Sequence, residues 1–483
     1  MVPKMGSLEY RSASELASLI RSAELSSREL VEACLRRVEA VNPLLNAVVT
    51  QIPEAALEAA GRADENQARG APLGPLHGLP IAHKDLVLTR GIRTTFGSKL
   101  LEDWVPDRDD LIVERLRDAG AILIGKTNTP EMGAGSQTYN EVFGETLNPW
   151  DRDKTCGGSS GGAAVALSAG MIPIADGSDM GGSLRNPASF CHVVGMRPSP
   201  GRVPMDSAPM GWDMLAVLGP MARNVEDTAL LLSAMAGPDP RSPISLSTPG
   251  SRFCAPLERD VKGIRIAWSR DLGGLPVDSA VAQVLETGRA VLDSLGCVVE
   301  EAECDWEGAD EAFRTLRAWG MAERLAGLSD EKRAQLKETL RWNLDIGLRC
   351  TGLDVSRAEV LRTNLYRRVV EFMRDYDFML MPVSQVPPFP VKTRYPAEVA
   401  GVPMESYIAW MKSCYYVSVT GLPALSLPFG FSPDGLPVGV QIVGRPRDDF
   451  GVLQLAWAIE NSLGISERRP SLDPAEPGVS RQS

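Results

Sequence analysis

The chain has 483 residues, 44% hydrophobic and 23% charged, a composition ordinary for a soluble globular protein with a large core. Its 50 Lys and Arg against 62 Asp and Glu leave a net charge of −12. With no basic cluster, that balance argues against a nucleic-acid partner, whose phosphates need grouped Lys and Arg.

The N-terminal region reads as helices. Ser12 with Glu15 and Ser26 with Glu29 fit the S-x-x-E capping box. Leu30, Val31, Cys34, Leu35 and Val38 keep helical spacing, and Pro43 is expected to stop that helix. A short strand is predicted over 47–50, a helix over 54–69, a strand over 81–89, a helix over 109–119 and a strand over 121–124. Strands alternating with helices point to an α/β fold, a sheet covered by helices. A glycine-rich block covers 155–198. Beyond it the pattern predicts a strand at 263–268, a helix at 279–295, a strand at 297–301 and mostly helix over 309–375, with a capping box at Ser356 and Glu359. Strand 378–382, a hairpin of 424–430 with 438–444 about Pro433-Asp434-Gly435, and a helix over 450–463 complete the chain.

No segment reaches the roughly 20 apolar residues of a spanning helix. The best, 163–175, holds Ser168, Gly170 and Pro173, and residues 1–9 lack the apolar stretch of a signal peptide. A cytoplasmic protein, away from the membrane, is expected. The eight scattered cysteines form no C-x-x-C pair and read as reduced thiols. With only His77, His83 and His192, and no H-E-x-x-H, a zinc hydrolase has little to work with. Residues 120–127 match the Walker A pattern formally. Their interior is apolar and strand-forming and they follow a helix, so they read as a buried strand rather than a phosphate loop.

Two glycine-flanked serine elements stand out. Gly157-Gly158-Ser159-Ser160-Gly161-Gly162 precedes a good helix former, and Gly177-Ser178-Asp179-Met180-Gly181-Gly182-Ser183 follows a strand-like run. Glycines before a helix let the backbone approach a ligand and aim N–H groups at it. A serine there suits acyl chemistry, its Oγ attacking while amides hold the oxyanion. Tight turns or a phosphate site are the alternatives for such loops. A serine needs a base. His192 lies in the apolar run 190–194 and reads as core. Lys84, in the strand-like run 79–87, is the other candidate, and on pattern alone a solvated surface lysine stays open.

At this point the chain resembles the amidase signature hydrolases. The likeness is carried by 157–198 and by Leu79 to Asp85. It extends to Gly125-Lys126-Thr127-Asn128, to Phe143-Gly144 with Asn148-Pro149, to Thr420-Gly421-Leu422-Pro423-Ala424 and to Gly435-Leu436-Pro437-Val438-Gly439-Val440-Gln441. It implies a single α/β/α domain over 1–483, with a mixed, mostly parallel twisted sheet and helices on both faces. The core would span about 70–240 and 378–465, with a variable helical pocket insert at about 309–375. It implies a Ser–Ser–Lys triad: Ser183 as nucleophile, Ser159 as bridging serine after a cis peptide bond, and Lys84 as base. The backbone amides of Met180, Gly181, Gly182 and Ser183 would form the oxyanion hole, and Asp179 and Arg185 would brace the loop. Gly133 and Cys156 fall in segments expected to wall the pocket, Cys156 standing where the family often has Pro. The resemblance implies no metal and no organic cofactor, and it carries the expectation of a homodimer.

The chemistry requires a neutral lysine, and moving its pKa from ~10.4 to ~7.4 takes ~4 kcal/mol, a shift burial can supply. The aromatic and Met residues of the insert (Trp319, Met321, Trp342, Tyr366) and of the C-terminal part (Tyr407, Trp410, Met411, Tyr415, Tyr416) would, where they face the site, favour an apolar acyl or amine group. An aryl or alkyl amide hydrolase is therefore expected. Carbamates and esters share the same tetrahedral chemistry. The family also holds the glutaminase subunit of tRNA-dependent amidotransferases, a second reading. A membrane-bound fatty-acid amide hydrolase is disfavoured for want of an N-terminal anchor.

Overall fold

A computed structural model describes residues 8–207 and 209–472. Its largest element is an eleven-stranded sheet. In chain order the strands are β1 (Val48–Gln51), β2 (Pro80–Lys84), β3 (Ile122–Thr127), β4 (Ile174–Asp179), β5 (Val194–Arg197) and β6 (Val217–Ala222). They continue as β7 (Arg265–Trp268), β8 (Val298–Glu301), β9 (Phe378–Pro382), β10 (Ala424–Phe431) and β11 (Pro437–Gly444). Across the sheet the order is β1-β3-β2-β4-β6-β5-β10-β11-β9-β7-β8. The sheet is mixed. Its parallel pairs, expected to predominate, form two blocks, β3-β2-β4 and β9-β7-β8. The centre between them is antiparallel throughout.

Helices cover both faces, and period-two alternation explains why. In β9, Phe378 and Leu380 enter one core while Met379 and Met381 enter another. The first core is closed by α1 (Leu111–Asp118), α2 (Val225–Met235), α3 (Ser279–Gly288) and, at the C-terminal end, residues of Asp449–Leu463. On the opposite face lie Gly161–Ser168 and Arg185–Cys191, the helices that follow the two glycine-serine elements. Gly161–Ser168 is buried at every position, as a helix apolar all round must be.

Several boundaries differ from expectation for local reasons. Pro43 does not stop its helix, which runs Ser27–Leu45 with Pro43 inside. The stop is Asn46, in the left-handed region at φ 54°, while the Asn42 side chain accepts the amides of Ala47 and Val48. Ser356 and Glu359 lie within Gly352–Phe372, whose capping box is Thr351 with Asp354. The insert, expected as mostly helix, comprises Ala309–Leu325, Asp330–Ala334, Glu338–Arg349 and Gly352–Phe372. Among the described residues no helix is long and apolar enough to cross a membrane.

Candidate active site

The strand expected over 81–89 ends at Lys84. Because β2 lies between β3 and β4, Lys84 is interior, wholly buried, and not a surface lysine. Its chain-reversing neighbour Val87 bonds back to the Lys84 carbonyl, and the buried ammonium of Lys126 caps the Val87 carbonyl. Lys126 is thus spent on a loop, Thr89 and Thr94 included, and the Walker-like segment is the buried strand β3.

Lys84 and Asp179 are the last residues of adjacent parallel strands, β2 and β4. Ligand sites of α/β sheets form beyond such carboxyl ends. Lys84 Nζ is held by three hydroxyls: Ser159 Oγ at 2.8 Å, Ser160 Oγ at 2.9 Å and Ser178 Oγ at 3.0 Å. Burial pushes the Lys84 ammonium down to about 7, against the opposing pull of Asp176 and Asp179. The Gly158–Ser159 peptide is cis, as expected. Ser160 and Ser178 carry no separate signal in the sequence, yet each stands beside a residue that does. Asp176, also unforeseen, binds His83 Nδ1 at 2.6 Å beneath the lysine.

Ser183 sits in the loop between β4 and Arg185–Cys191, and its carbonyl accepts the Ser160 amide at 3.2 Å. Asp179 organises this loop. It accepts the amides of Gly182 at 2.9 Å and Leu184 at 3.1 Å, and both Arg185 and Arg197. Burial opposes its ionisation, but the two guanidinium groups outweigh that and hold the carboxyl far below the usual range. Arg185 reaches on to Gln441, Ser418 and the Cys414 carbonyl, tying the loop to the C-terminal part. Arg197, 18 residues from Asp179, has no local signal in the sequence.

Among the amides expected to form an oxyanion hole, one is differently placed. The Gly182 N–H, expected there, points at Asp179 instead. The amides of Met180, Gly181 and Ser183 have no acceptor among the described residues.

Ser159, Ser178 and Ser183 open on a cavity of about 890 Å³. Leu86, Phe96, Leu100 and Met132 wall one side, and Phe313, Leu316, Trp319 and Met321 of the insert the other. Gly133 lines it as expected. A Cβ there would fall 2.7 Å from Leu86 Cδ1 and 3.7 Å from Ser159 Oγ, and its φ is 69°. Cys156 does not line it. Its side chain turns into the core beneath Gly161, its thiol bonding to the Thr146 carbonyl at 3.4 Å. Of the remaining aromatic and Met candidates, Met411 lines the cavity, Trp410 and Tyr415 are core, and Trp342 and Tyr407 face a second cleft. Tyr366 is exposed, and Tyr416 packs on Trp306. His192 is core, bonded to the Ile465 carbonyl and set edge-on to Trp150.

A serine cluster around a buried lysine, opening on a cavity and served by no histidine, defines a hydrolase class. Known proteins similar to this chain agree. The family model described as Amidase matches residues 29–453. An acylamidase of Rhodococcus erythropolis is 37% identical over 467 residues, 96% of this chain and 98% of the relative. A glutamyl-tRNA(Gln) amidotransferase subunit of Moorella thermoacetica is 38% identical, covering 97% of this chain and all of the relative. The crystal structure of a bacterial aryl acylamidase of the amidase signature family superposes with a TM-score of 0.89 at 30% identity, covering 96% and 99% of the two chains. A 6-aminohexanoate cyclic dimer hydrolase gives 0.86 at 29%, with 96% and 99% covered. The chain belongs to the amidase family, hydrolases of C–N amide bonds.

Proposed function

We propose that this chain is a cytoplasmic hydrolase of small-molecule aryl or alkyl amides, acting through an acyl-enzyme on Ser183. Neutral Lys84 takes a proton from Ser159, which takes one from Ser183 as its Oγ attacks the carbonyl. The amides of Met180, Gly181 and Ser183 stabilise the oxyanion. The leaving amine is protonated back through the same relay, and water then cleaves the ester. The observation that carries this reading is the 2.8 Å contact of Lys84 Nζ with Ser159, at the buried end of the apolar cavity that Ser183 shares. The residue roles need no metal or organic cofactor. Carbamates and esters pass through the same tetrahedral state, so urethane cleavage belongs to the same proposal. A homodimer is the assembly we expect.

The likeness to an amidotransferase subunit favours a second reading, a glutaminase. Glutamine brings an ammonium that needs a carboxylate to receive it. Of the carboxylates lining the cavity, Asp179 is paired with two arginines and Glu359 with Arg362, leaving Asp213, which accepts the Leu215 amide, as the cavity carboxylate without a cationic partner among the described residues. The apolar walls beside Ser183 support the amide hydrolase over the glutaminase.

The test is intact mass after fluorophosphonate treatment of wild type and Ser183→Ala, followed by turnover of anilides, carbamates, esters and glutamine. One adduct on wild type and none on the variant, with anilides cleaved, is expected. Labelling of Ser183→Ala, or glutamine as the sole substrate turned over, would overturn the proposal.

A further inference from the structure

The helix Ala309–Leu325 lays one stripe along the cavity: Phe313, Leu316, Arg317, Met321, Arg324 and Leu325, the spacing of a single helical face. The stripe starts at the catalytic loop. A Cβ on Gly181 would lie 2.7 Å from Phe313 Cζ. At 1.5 Å per residue, Arg317 stands about 6 Å further along the axis and Arg324 about 16 Å.

Arg317 is unusual within an apolar wall. It is only 5% exposed, and a guanidinium stays charged. A buried charge is ordinarily paired. Yet among the described residues Arg317 has no carboxylate partner. Its Nη1 donates to the neutral Asn343 and its Nη2 to the Tyr407 hydroxyl at 2.6 Å. Arg324 and Lys332, further out on the same cavity, also form no ion pair with any described residue. Of the three cavity carboxylates, Asp179 and Glu359 are paired with other arginines, and Asp213 accepts the Leu215 amide rather than Arg317. Behind Arg317 stands Lys337, whose ammonium burial pushes down to about 7 against the pull of Glu131, with Arg317 and Arg394 adding smaller pushes the same way.

Building on the amide-hydrolase reading, we propose that the substrate carries a carboxylate on one arm, that Arg317 binds it, and that Arg324 and Lys332 draw such anions to the mouth. The neutral partners Asn343 and Tyr407 fix the guanidinium fork without neutralising it, which leaves the charge to the ligand.

Two matched pairs of probes test this. Glutaryl para-nitroanilide is compared with hexanoyl para-nitroanilide, which places the acid on the acyl arm. Para-butanoylaminobenzoate is compared with butyranilide, which places it on the amine arm. Wild type should prefer the acid in one pair, and in Arg317→Gln the acid-to-neutral ratio of kcat/KM should fall about tenfold to hundredfold, the range for a hydrogen bond to a charged group. Arg317→Lys, which keeps the charge and loses the fork, should fall between. Binding of the same four compounds to Ser183→Ala, with and without Arg317→Gln, is measured by calorimetry. Tighter binding of an acid, lost with Arg317, supports the proposal even where turnover fails, and that failure would count against the hydrolase reading alone. No preference for either acid in binding or turnover, or a preference that survives Arg317→Gln, overturns the proposal.

Discussion

Asp179 and Arg185 stand six residues apart and meet as a two-point ion pair, Oδ2 to Nε and Oδ1 to Nη2, both at 3.0 Å, wholly shut off from solvent. The pair joins β4 to the helix that follows Ser183, so the loop carrying Ser183, the proposed nucleophile, is pinned at both ends. Arg197 shares the same carboxylate. Asp179→Asn leaves two buried guanidinium groups without a counter-charge. Breaking such a pair costs about 3–5 kcal/mol. Chemical denaturation should show a loss of that order, and kcat should fall even where the variant remains folded.

Activity should rise with pH through about 7. The base must be neutral to accept the Ser159 proton, and burial brings Lys84 down to about 7, so its neutral fraction grows as pH increases past that value. A plot of log kcat/KM should climb with unit slope below the break and level off above it. Lys84→Ala should lose about two to four orders of magnitude, the usual worth of a positioned general base. The sign for stability follows separately. The folded pKa lies below the unfolded ~10.4, so the unfolded chain binds more protons between the two values. Wild-type stability should therefore gain with pH across that window relative to Lys84→Met. A flat rate profile, or an acid optimum, would exclude Lys84 as the base.

Gly182→Ala should be inactive and less stable. Gly182 has φ 114°, where L side chains rarely go, and an added Cβ would meet Cys414 Cβ at 2.5 Å. Because the Gly182 amide is anchored on Asp179, the loop cannot shift without breaking that bond. Overpacking of this kind costs about 1–3 kcal/mol. Fluorophosphonate labelling should slow together with turnover.

Thiol reagents should leave activity largely intact. Cys254 is exposed and Cys350 partly so, whereas Cys34, Cys156, Cys191, Cys297, Cys304 and Cys414 are buried. Burial pushes the Cys156 thiol up to about 12, far from a reactive thiolate. Alkylation of the native protein should mark Cys254 first and Cys350 next, and the rest only after unfolding. Cys156→Ala should change stability by about 1–2 kcal/mol without altering the order of preferred substrates.

The sequence displays the site more clearly than its surroundings. The glycine-serine elements and the lysine strand are local signals, and the hydroxyls around Lys84 all come from them. Boundaries set by a cap or a turn are legible where the capping residues are adjacent, as at Ser26 with Glu29. They escape where another cap competes, as at Thr351, or where a left-handed Asn46 ends a helix three residues after its own tolerated proline. The direction of the Gly182 amide is hidden because it depends on where the Asp179 carboxylate settles. The place of Cys156 is hidden because the turn about Gly157, at φ 75°, faces it inward. Arg197 and Gln441 are placed by strand pairing and Ser418 by the packing of the helix Lys412–Thr420, all far along the chain, which local pattern does not encode. A mixed sheet is legible, but the antiparallel centre follows from which strands meet, and no single strand announces that.

Six methionines line the cavity that Ser183 shares: Met132, Met180, Met210, Met214, Met321 and Met411. Unbranched thioethers bend to fit ligands of different shape, so this wall should tolerate a range of acyl groups that a wall of Val and Ile would reject. The same sulfurs make the enzyme vulnerable to oxidants. Met214 is 43% exposed, and conversion to sulfoxide would turn an apolar lining polar. Mild peroxide should therefore erode turnover of apolar substrates before it disturbs the fold, and methionine sulfoxide reductases should restore it.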